Sequence, residues 1–295
     1  MEASKQTNLL IDRMSSRMNR NLKSIPPQDE PMYLGIDIGT ANVVSLVIDK
    51  KGRPVSGEIE SAHVVREGMI VDYFHALSIV EKQIQTLNKR LDRELLNVVS
   101  AVPPGTEHNN GKVTRNLLEG AGLNVLDIID EPSAAAKTLD ITDGAVVDVG
   151  GGTTGISILK DSNVIYTADE STGGFHLDLV LAGGLGISIE EAEAKKCDPA
   201  MQKKLFPVVK PVFEKIITIT RKYIEGYHPE AIYLVGGTCT FPGFAQLMEK
   251  ELKIPTILPH SPLLVTPLGM AIACRQIMQQ EENNQKGDAS FGEDL

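Results

Sequence analysis

Residues 33–40 read Tyr-Leu-Gly-Ile-Asp-Ile-Gly-Thr, and residues 145–154 read Ala-Val-Val-Asp-Val-Gly-Gly-Gly-Thr-Thr. Both stretches consist of an apolar strand, an aspartate and a turn that contains glycine and threonine. A second β-branched strand follows each turn, from Val43 and from Ile156. Such turns direct several backbone N–H groups at one point, where they can hold phosphate oxygens. Because the aspartates Asp37 and Asp148 are 111 residues apart, we predict two lobes that hold one polyphosphate from opposite sides.

The length and composition favour an ordinary two-lobed protein. A chain of 295 residues can bury about three quarters of its unfolded surface, and domains usually hold about 100 to 200 residues. No apolar run approaches about 20 residues, so no transmembrane segment is expected. The N-terminus lacks the apolar core of a secretion signal, which predicts a cytoplasmic protein. Its three cysteines form no Cys-x-x-Cys pair, as is typical of reduced thiols.

The charge of the chain argues against nucleic acid as a partner. The net charge is −10, whereas nucleic-acid binding requires a basic surface. Tryptophan is absent and aromatic residues make up only 4% of the chain, so base-stacking platforms are not expected either.

The apolar pattern divides the chain into five segments. They are an N-terminal amphipathic helix with a linker (1–31), lobe I (32–141), lobe II (142–268), a closing helix (269–280) and a solvated acidic tail (281–295). In each lobe, strands alternate with helices after an initial meander, which predicts a mixed sheet covered by helices. In lobe II we expect one long helix, over Lys204–Glu225.

The N-terminal segment has an apolar stripe at helical spacing. The stripe consists of Ile11, Met14, Met18, Leu22 and Ile25. One interpretation is a disordered start of the chain. A second is a docking helix, over residues 9–25, that lies in the groove of a partner such as a shell protein. A third, a helix on a membrane surface, is weakened by the absence of tryptophan and phenylalanine.

The two aspartates indicate a cation. If Asp37 and Asp148 face one phosphate chain about 4 Å apart, they repel each other by about 4 kcal/mol at an effective dielectric constant near 20. Either one carboxylate stays protonated or a cation lies between them. Mg²⁺, held through water, meets this need and also neutralises a nucleotide. The alternative is that both aspartates only form turns, but the duplication of the pattern favours the functional interpretation.

The turns themselves are the predicted phosphate site. Threonine hydroxyls there can add contacts to the β- and γ-phosphates, although threonine is also favoured at strand ends for structural reasons. The predicted nucleotide-binding residues of the turns are Gly39, Thr40, Ala41, Asn42, Gly150, Gly151, Gly152, Thr153 and Thr154.

Glu131 is the candidate for positioning water. It follows a strand and precedes Pro132 at the start of a helix. Acidic residues are common at helix starts for structural reasons. In the functional interpretation, its carboxylate orients a water molecule toward the γ-phosphate. We therefore assign the catalytic role to Glu131 with Asp37 and Asp148.

A third motif predicts an adenosine pocket. Gly236, Gly237 and Thr238 follow the apolar strand 231–235, and glycines there let a planar ligand approach the backbone. Glu193 and Lys196 could contact the ribose or the adenine. Glu193 and Lys196 could equally well lie on the solvent-exposed face of a helix and contact no ligand.

Taken in order, these motifs resemble those of the actin, hexokinase and heat-shock-70 ATPase superfamily. The five motifs are phosphate-1 (37–43), connect-1 (130–136), phosphate-2 (147–158), adenosine (234–244) and connect-2 (266–273). Within the superfamily, residues 35–42, 130–136 and 147–155 resemble the EutJ family of ethanolamine-utilisation proteins, whose members are chaperone-like and tied to bacterial microcompartments.

The resemblance implies a duplicated actin-like, ribonuclease H-like α/β fold with two lobes that close on ATP or ADP and Mg²⁺. Asp37 and Asp148 would hold the metal through water. The superfamily's catalytic lysine has no convincing match among Lys82, Lys89 and Lys112, so we expect a slow ATPase at most. We therefore expect no peptide-binding domain after residue 280, and we expect the outer subdomains to be reduced.

Three functions stay open from the sequence. The first is an ATP-binding, chaperone-like or assembly factor that works in the cytoplasm or at a microcompartment, with shell or lumen enzymes as partners. The second is a small-molecule kinase or phosphatase of the same fold, with Asp72 or Glu67 as its general base. The third is an actin-like filament or scaffold protein.

Overall fold

The computed structural model describes residues 4–22, 25–66, 68–106 and 108–290, with side chains to residue 284. Its first half forms a mixed five-stranded sheet in the order β3-β2-β1-β6-β7. The elements of this half are α1 (Lys5–Ser15), β1 (Met32–Ile38), β2 (Asn42–Asp49), β3 (Pro54–Ser61), β4 (Val65–Arg66), β5 (Met69–Ile70), α2 (Tyr73–Leu91), β6 (Asn97–Val102), α3 (Asn110–Gly120), β7 (Asn124–Asp130) and α4 (Glu131–Leu139).

The second half repeats this arrangement, in the order β10-β9-β8-β11-β12. In both sheets the first three strands in sequence are antiparallel and the last two run parallel to the first. The duplicated α/β fold predicted from the sequence is therefore confirmed. The elements of this half are β8 (Gly144–Val149), β9 (Thr154–Lys160), β10 (Asn163–Glu170), α5 (Gly174–Leu185), α6 (Ile189–Cys197), α7 (Pro199–Ile224), β11 (Ile232–Val235), α8 (Phe244–Leu252), β12 (Thr256–Ile257) and α9 (Val265–Ser290).

Two helices exchange lobes and so join the halves. Helix α4 ends the first half but packs on β8 and β9, whereas α9 ends the second half and packs on β1, β2 and β6. The helices meet where Gly269 lies against Ala134, so closely that a Cβ atom on Gly269 would overlap the Ala134 carbonyl. Small residues at this crossing are required because two helix backbones come into contact.

The N-terminal segment differs from all three interpretations of it. Helix α1 ends at Ser15, and Ile11 and Met14 are fully buried against α9 and the first sheet. Beyond the helix, Met18 forms a bridge to Gly57 on the edge strand β3. The prediction that a partner's groove covers this stripe is wrong for Ile11 and Met14, which the chain's own core buries, whereas Ile25 at its far end is 56% exposed.

Two helix boundaries also differ from the prediction. Helix α7 starts at Pro199, five residues before the predicted Lys204, because Asp198 caps it by accepting the Ala200 N–H at 2.9 Å. Helix α9 continues to Ser290, so residues 281–290 are helical rather than an irregular tail. Residues 291–295 lie outside the described residues. No helix within the described residues is both long enough and apolar enough to span a membrane.

Candidate functional site

A cavity of about 370 Å³ lies between the two sheets, at the carboxyl ends of β1 and β8. Residues from every predicted motif line this cavity, although the motifs are far apart in sequence. Those that line it are Asp37, Gly39, Thr40, Ala41, Asn42, Glu131, Asp148, Gly150, Gly151, Gly152, Thr153, Glu193, Lys196, Gly237 and Thr238.

The two glycine turns have the same internal geometry. In the first, the Gly39 N–H donates to the Asn42 carbonyl at 2.9 Å; in the second, the Gly150 N–H donates to the Thr153 carbonyl at 3.0 Å. The turns also touch, since a Cβ atom on Gly151 would lie 3.1 Å from the Cβ of Thr40. Two equivalent hairpin turns therefore meet at one point of the cavity.

These turns offer unused hydrogen-bond donors. Within the described residues, the backbone N–H groups at positions 40, 41, 151 and 152 donate to no other group. The backbone carbonyl groups of the second turn accept hydrogen bonds from the start of α5. The Gly150 carbonyl accepts from the Gly174 N–H at 2.9 Å, and the Gly151 carbonyl accepts from the Phe175 N–H at 2.8 Å. The first turn of α5 thus supports the turn and adds the positive end of its dipole. Free N–H groups beside a helix start are suited to an anion such as phosphate.

Four carboxyl groups surround the turns, and burial makes each a weaker acid. Burial, and then the charge of Asp148, raises the pKa of Asp37 to about 7. Burial raises the pKa of Asp148 to about 6, although the Thr266 hydroxyl, which donates to its Oδ2 at 2.7 Å, lowers it. The pKa of Asp169 is raised to about 6, mainly by burial. The pKa of Glu131 is raised well above its ordinary value by burial and by the charges of Asp148, Asp37 and Asp169.

This accumulation of negative charge fits a cation. The Asp169 Oδ1 atom is buried and has no hydrogen-bond partner among the described residues, so the local charge is only partly compensated. Within the described part of the chain, however, no three His, Cys, Asp or Glu side chains converge as direct metal ligands. A divalent ion held by Asp37 and Asp148 would therefore complete its coordination with water or phosphate oxygens.

Glu131 is free for a role in the cavity. Its neighbour Asp130 provides the helix cap, because its Oδ1 accepts the Ser133 N–H at 2.8 Å. The structural explanation for an acidic residue at this helix start thus applies to Asp130. Glu131 lines the cavity instead.

The predicted adenosine residues are already partly engaged. The Lys196 ammonium pairs with the buried carboxylate of Asp178 at 2.6 Å. The Glu193 carboxylate lies 3.4 Å from Nε2 of His63, which belongs to the first half of the chain. This second contact bridges the two sides of the cleft.

Two predicted residues do not line the cavity. The Thr154 side chain is fully buried, and its hydroxyl donates to the Thr172 carbonyl at 2.6 Å. Gly236 lies behind Asp148 with a φ of +89°, and a Cβ atom there would come within 2.5 Å of the Asp148 Oδ1. Its role is therefore to make room for the aspartate.

Sequence reasoning missed Thr266 and Asp169. Thr266 begins the connect-2 motif, which was the available signal, but its bond to Asp148 joins residues 118 positions apart. Asp169 lies near the end of the exposed strand β10, where an acidic residue is ordinary and does not indicate a binding site. The cavity also extends along the first lobe, past Val65, Ile70 and Thr114, and no sequence pattern indicated this extension.

The candidate lysines and bases lie elsewhere. Lys82 pairs with Glu60 on the surface at 2.9 Å, and neither Lys89 nor Lys112 lines the cavity. Among the described lining residues, Lys196 is the one lysine or arginine. The Asp72 carboxylate caps α2 by accepting the His75 N–H at 3.1 Å, and Asp72 is not among the described residues that line the cavity. Glu67, the other candidate base, lies outside the described residues.

Known proteins resemble the chain over most of its length. A family model described as Type IV pilus assembly protein PilM matches residues 133–282, and one described as MreB/Mbl protein matches residues 51–185. The "Ethanolamine utilization protein EutJ" of Escherichia coli K12 is 42% identical over 84% of this chain and 88% of its own length.

Solved structures agree with these matches. The crystal structure of ethanolamine utilization protein EutJ from Carboxydothermus hydrogenoformans is 40% identical, with a TM-score of 0.84 over 90% of this chain and 97% of that one. MreB5 of Spiroplasma citri, bound to AMPPNP, is 17% identical and shares the fold, with a TM-score of 0.71 over 88% of this chain and all of that one. The predicted actin-like fold is confirmed.

Proposed function

The chain belongs to the EutJ family of ethanolamine-utilisation proteins, within the actin-like fold, and on that premise we propose that it binds ATP or ADP with Mg²⁺ between its lobes. We further propose that it uses nucleotide-dependent closure as a chaperone-like or assembly factor. The observation that carries the proposal is the meeting of two equivalent glycine turns with free N–H groups in one cavity. The structure of MreB5 bound to AMPPNP supports a nucleotide as the ligand, because that protein has the same fold.

The residues divide into three roles in this proposal. The turns around Thr40 and Thr153 bind the β- and γ-phosphates, while Gly237 and Thr238 bind the adenosine end beside Glu193 and Lys196. Bound Mg²⁺ would neutralise the phosphates, and Asp37 and Asp148 would hold it through water. The charge of the ion would also offset the burial that raises the pKa of both acids and the charge of Asp148 that further raises the pKa of Asp37.

Hydrolysis in this site would be slow. Glu131, which lines the cavity, would orient a water molecule toward the γ-phosphate. Charge developing on the γ-phosphate needs a cationic partner. The Lys196 ammonium is already paired with Asp178. The site therefore suits a binding switch better than a rapid enzyme.

Nucleotide would act by drawing the lobes together. The contact between His63 and Glu193 crosses the cleft and exists only while the two lobes are close. Typical coupling energies of about 1 to 3 kcal/mol change partner affinity by roughly five- to 150-fold. Proteins of the ethanolamine pathway, including shell or lumen enzymes of a microcompartment, are the partners that we propose, with the cytoplasm or the microcompartment as the location.

Calorimetric titration with ATP and Mg²⁺ tests the site. Wild-type protein should bind, whereas Asp148→Ala should lose Mg²⁺-dependent binding and Gly151→Val should lose binding through a clash with Thr40. Lys82→Ala, at an exposed ion pair away from the cavity, is the control and should bind as wild type does. Absence of binding by wild type, or normal binding by both site variants, would refute the nucleotide site.

Capture of shell and lumen proteins tests the proposed role. The wild-type chain should retain a partner in the presence of ATP and Mg²⁺ that it releases without nucleotide, and Asp148→Ala should show no difference between the two conditions. If no protein of the pathway is retained in a nucleotide-dependent way, the assembly role is wrong even where ATP binds.

A scaffold function is the second candidate, because part of the chain matches the MreB/Mbl model. Sedimentation of the protein with and without ATP separates the two. Filaments that pellet only with nucleotide would favour the scaffold. A protein that stays in the supernatant under both conditions would favour the assembly factor.

A further inference from the structure

Gln202 lines the cavity, and a hydrogen bond holds its side-chain amide in one orientation. The Nε2 atom donates to the Lys196 carbonyl at 3.0 Å. Because a backbone carbonyl can only accept a hydrogen bond, the amide nitrogen faces Lys196 and the Oε1 atom faces away from it. Among the described residues, this Oε1 atom has no hydrogen-bond partner. Gln202 therefore offers a hydrogen-bond acceptor of fixed orientation.

The backbone of Gln202 is fixed at the start of α7. Its N–H donates to the Asp198 carbonyl at 3.2 Å, within the first turn of the helix. Phe206 follows four residues later on the same side of α7, and its ring centroid lies 6.4 Å from that of Phe241. Phe241 also lines the cavity. Gln202 and Phe241 thus belong to the end of the cavity between α7 and the loop after β11.

This end lies beyond the second glycine turn. Lys196 connects the two places, since its Nζ atom lies 3.4 Å from the Gly174 carbonyl, beside the turn, while its backbone carbonyl binds Gln202. A nucleotide with its phosphates at the turns would therefore extend its base toward Gln202. The walls of this end include apolar side chains, which suit the faces of a planar base: Leu177, Phe241 and Leu263.

We propose that Gln202 selects adenine over purines with an oxygen at C6, an inference that rests on the nucleotide site proposed above. The amino group at C6 of adenine donates hydrogen bonds, whereas the oxygen at C6 of guanine accepts them. The Oε1 atom of Gln202 pairs with the amino group and repels the oxygen. C6 lies on the six-membered ring of the purine, away from the N9 atom that carries the ribose, so its substituent meets the far end of the cavity.

Calorimetric titration of the full chain with ATP or ITP, each with Mg²⁺, tests this selection. The bases of these two nucleotides differ only at C6 and at the adjacent N1. Wild type should bind ATP about tenfold or more tightly than ITP, as one hydrogen bond and its loss would produce. Gln202→Met has a side chain of similar length without the acceptor, so it should bind both nucleotides with about equal affinity. A purely structural role of Gln202 would weaken both together and leave their ratio unchanged.

A second variant reverses the chemistry at this position. Gln202→Lys supplies only donors, which can still bond the Lys196 carbonyl, and it should bind ITP at least as tightly as ATP. Lys203→Met, at the next residue, is the matched control. Lys203 is exposed and is not among the described residues that line the cavity, so this variant should retain the wild-type preference. Thermal unfolding without nucleotide verifies that each variant is folded.

The outcomes separate the two proposals. A wild type that binds neither nucleotide would refute the nucleotide site and this assignment with it. A wild type that binds ATP and ITP equally, or a Gln202→Met variant that retains the preference for ATP, would overturn the role of Gln202 and leave the nucleotide site intact.

Discussion

The two lobes share a strand order but differ at their outer edges. Strand β3 is covered: the Asn19 N–H donates to the Gly57 carbonyl at 2.9 Å, and the Asn19 side chain bonds both the N–H and the carbonyl of Ile59. Strand β10 has no such cover within the described residues, and a bulge between Val164 and Tyr166 interrupts its pairing. Bulges of this kind discourage pairing between edges. The pairing of β3 has a bulge as well, where Val47 pairs with Ser56 and Ile48 with Pro54. Within the described residues, the two edges therefore differ in the segment of chain that covers β3.

At the cavity, by contrast, the backbones of the two lobes have the same arrangement. Both turns close with the same hydrogen bond, and both place an aspartate before the turn. The two aspartates differ in one respect: Asp148 accepts a hydrogen bond from Thr266, whereas Asp37 accepts none from any described side chain. The two halves are therefore most alike in structure where they meet at the cavity, and they differ most at their outer edges.

We expect the largest loss of stability from a substitution where helices α4 and α9 cross and join the two halves. Gly269→Ala places a methyl group on the Ala134 backbone, and overpacking between two backbones costs about 3 kcal/mol or more. Urea unfolding measures the loss. Gly183→Ala is the matched control, because that helix glycine has open space and should gain up to about 1 kcal/mol. Equal stability of the two variants would show that the crossing is not tight.

A substitution at the covered edge strand β3 should cause a smaller loss of stability. Asn19→Ala removes both side-chain bonds to Ile59 and leaves a non-glycine residue at a φ of +52° without its compensating contacts. We expect a loss of about 1 to 2 kcal/mol in the free energy of unfolding. Asn163→Ala, on the uncovered β10, is the control, because its side chain bonds only the nearby Asp161 carbonyl. A similar loss in both variants would contradict a special role for the cover.

The sequence was most informative where structure is local. Each turn, with its aspartate and both strands, lies within about twenty residues, so apolar runs and glycines predicted it, and duplication then predicted the cleft. The burial of Ile11 and Met14 could not be predicted, because an amphipathic pattern gives the apolar side of a helix but not what covers it. The hydrogen bond of the Thr266 hydroxyl could not be predicted either, because only the fold brings Thr266 close to Asp148.

The bond from Thr266 should distinguish the two aspartates in function. Thr266→Val removes the donor that lowers the pKa of Asp148, so a smaller fraction of Asp148 is ionised to hold Mg²⁺. If the proposed site is correct, we expect Mg²⁺-dependent ATP binding to weaken about tenfold, since hydrogen bonds to charged groups are worth about 1.5 to 3 kcal/mol. Thr266→Ser retains a hydroxyl and should bind as wild type does. Calorimetry that finds both variants equal to wild type would remove Thr266 from the site.

The smallest effect concerns the pH dependence of the metal-free, nucleotide-free protein. Because the pKa of Asp37 is about 7 in the folded state and near 4 in an unfolded chain, the folded state binds the extra proton between these values. Stability is therefore greatest at the acidic end of this window and falls as pH rises through it. Burial raises the pKa values of Asp148 and Asp169 in the same direction, so they add to the fall.

Asparagine at position 37 isolates the contribution of the first lobe. Asp37→Asn cannot ionise, so its melting temperature in EDTA should decline less than that of wild type between about pH 5 and about pH 7.5. Asp161→Asn, at the turn between β9 and β10, supplies a control outside the cavity. It should retain the wild-type slope. Identical slopes for wild type and Asp37→Asn would mean that Asp37 does not titrate with a raised pKa in the cavity. The two turns would then be alike in their backbone but not in the behaviour of their aspartates.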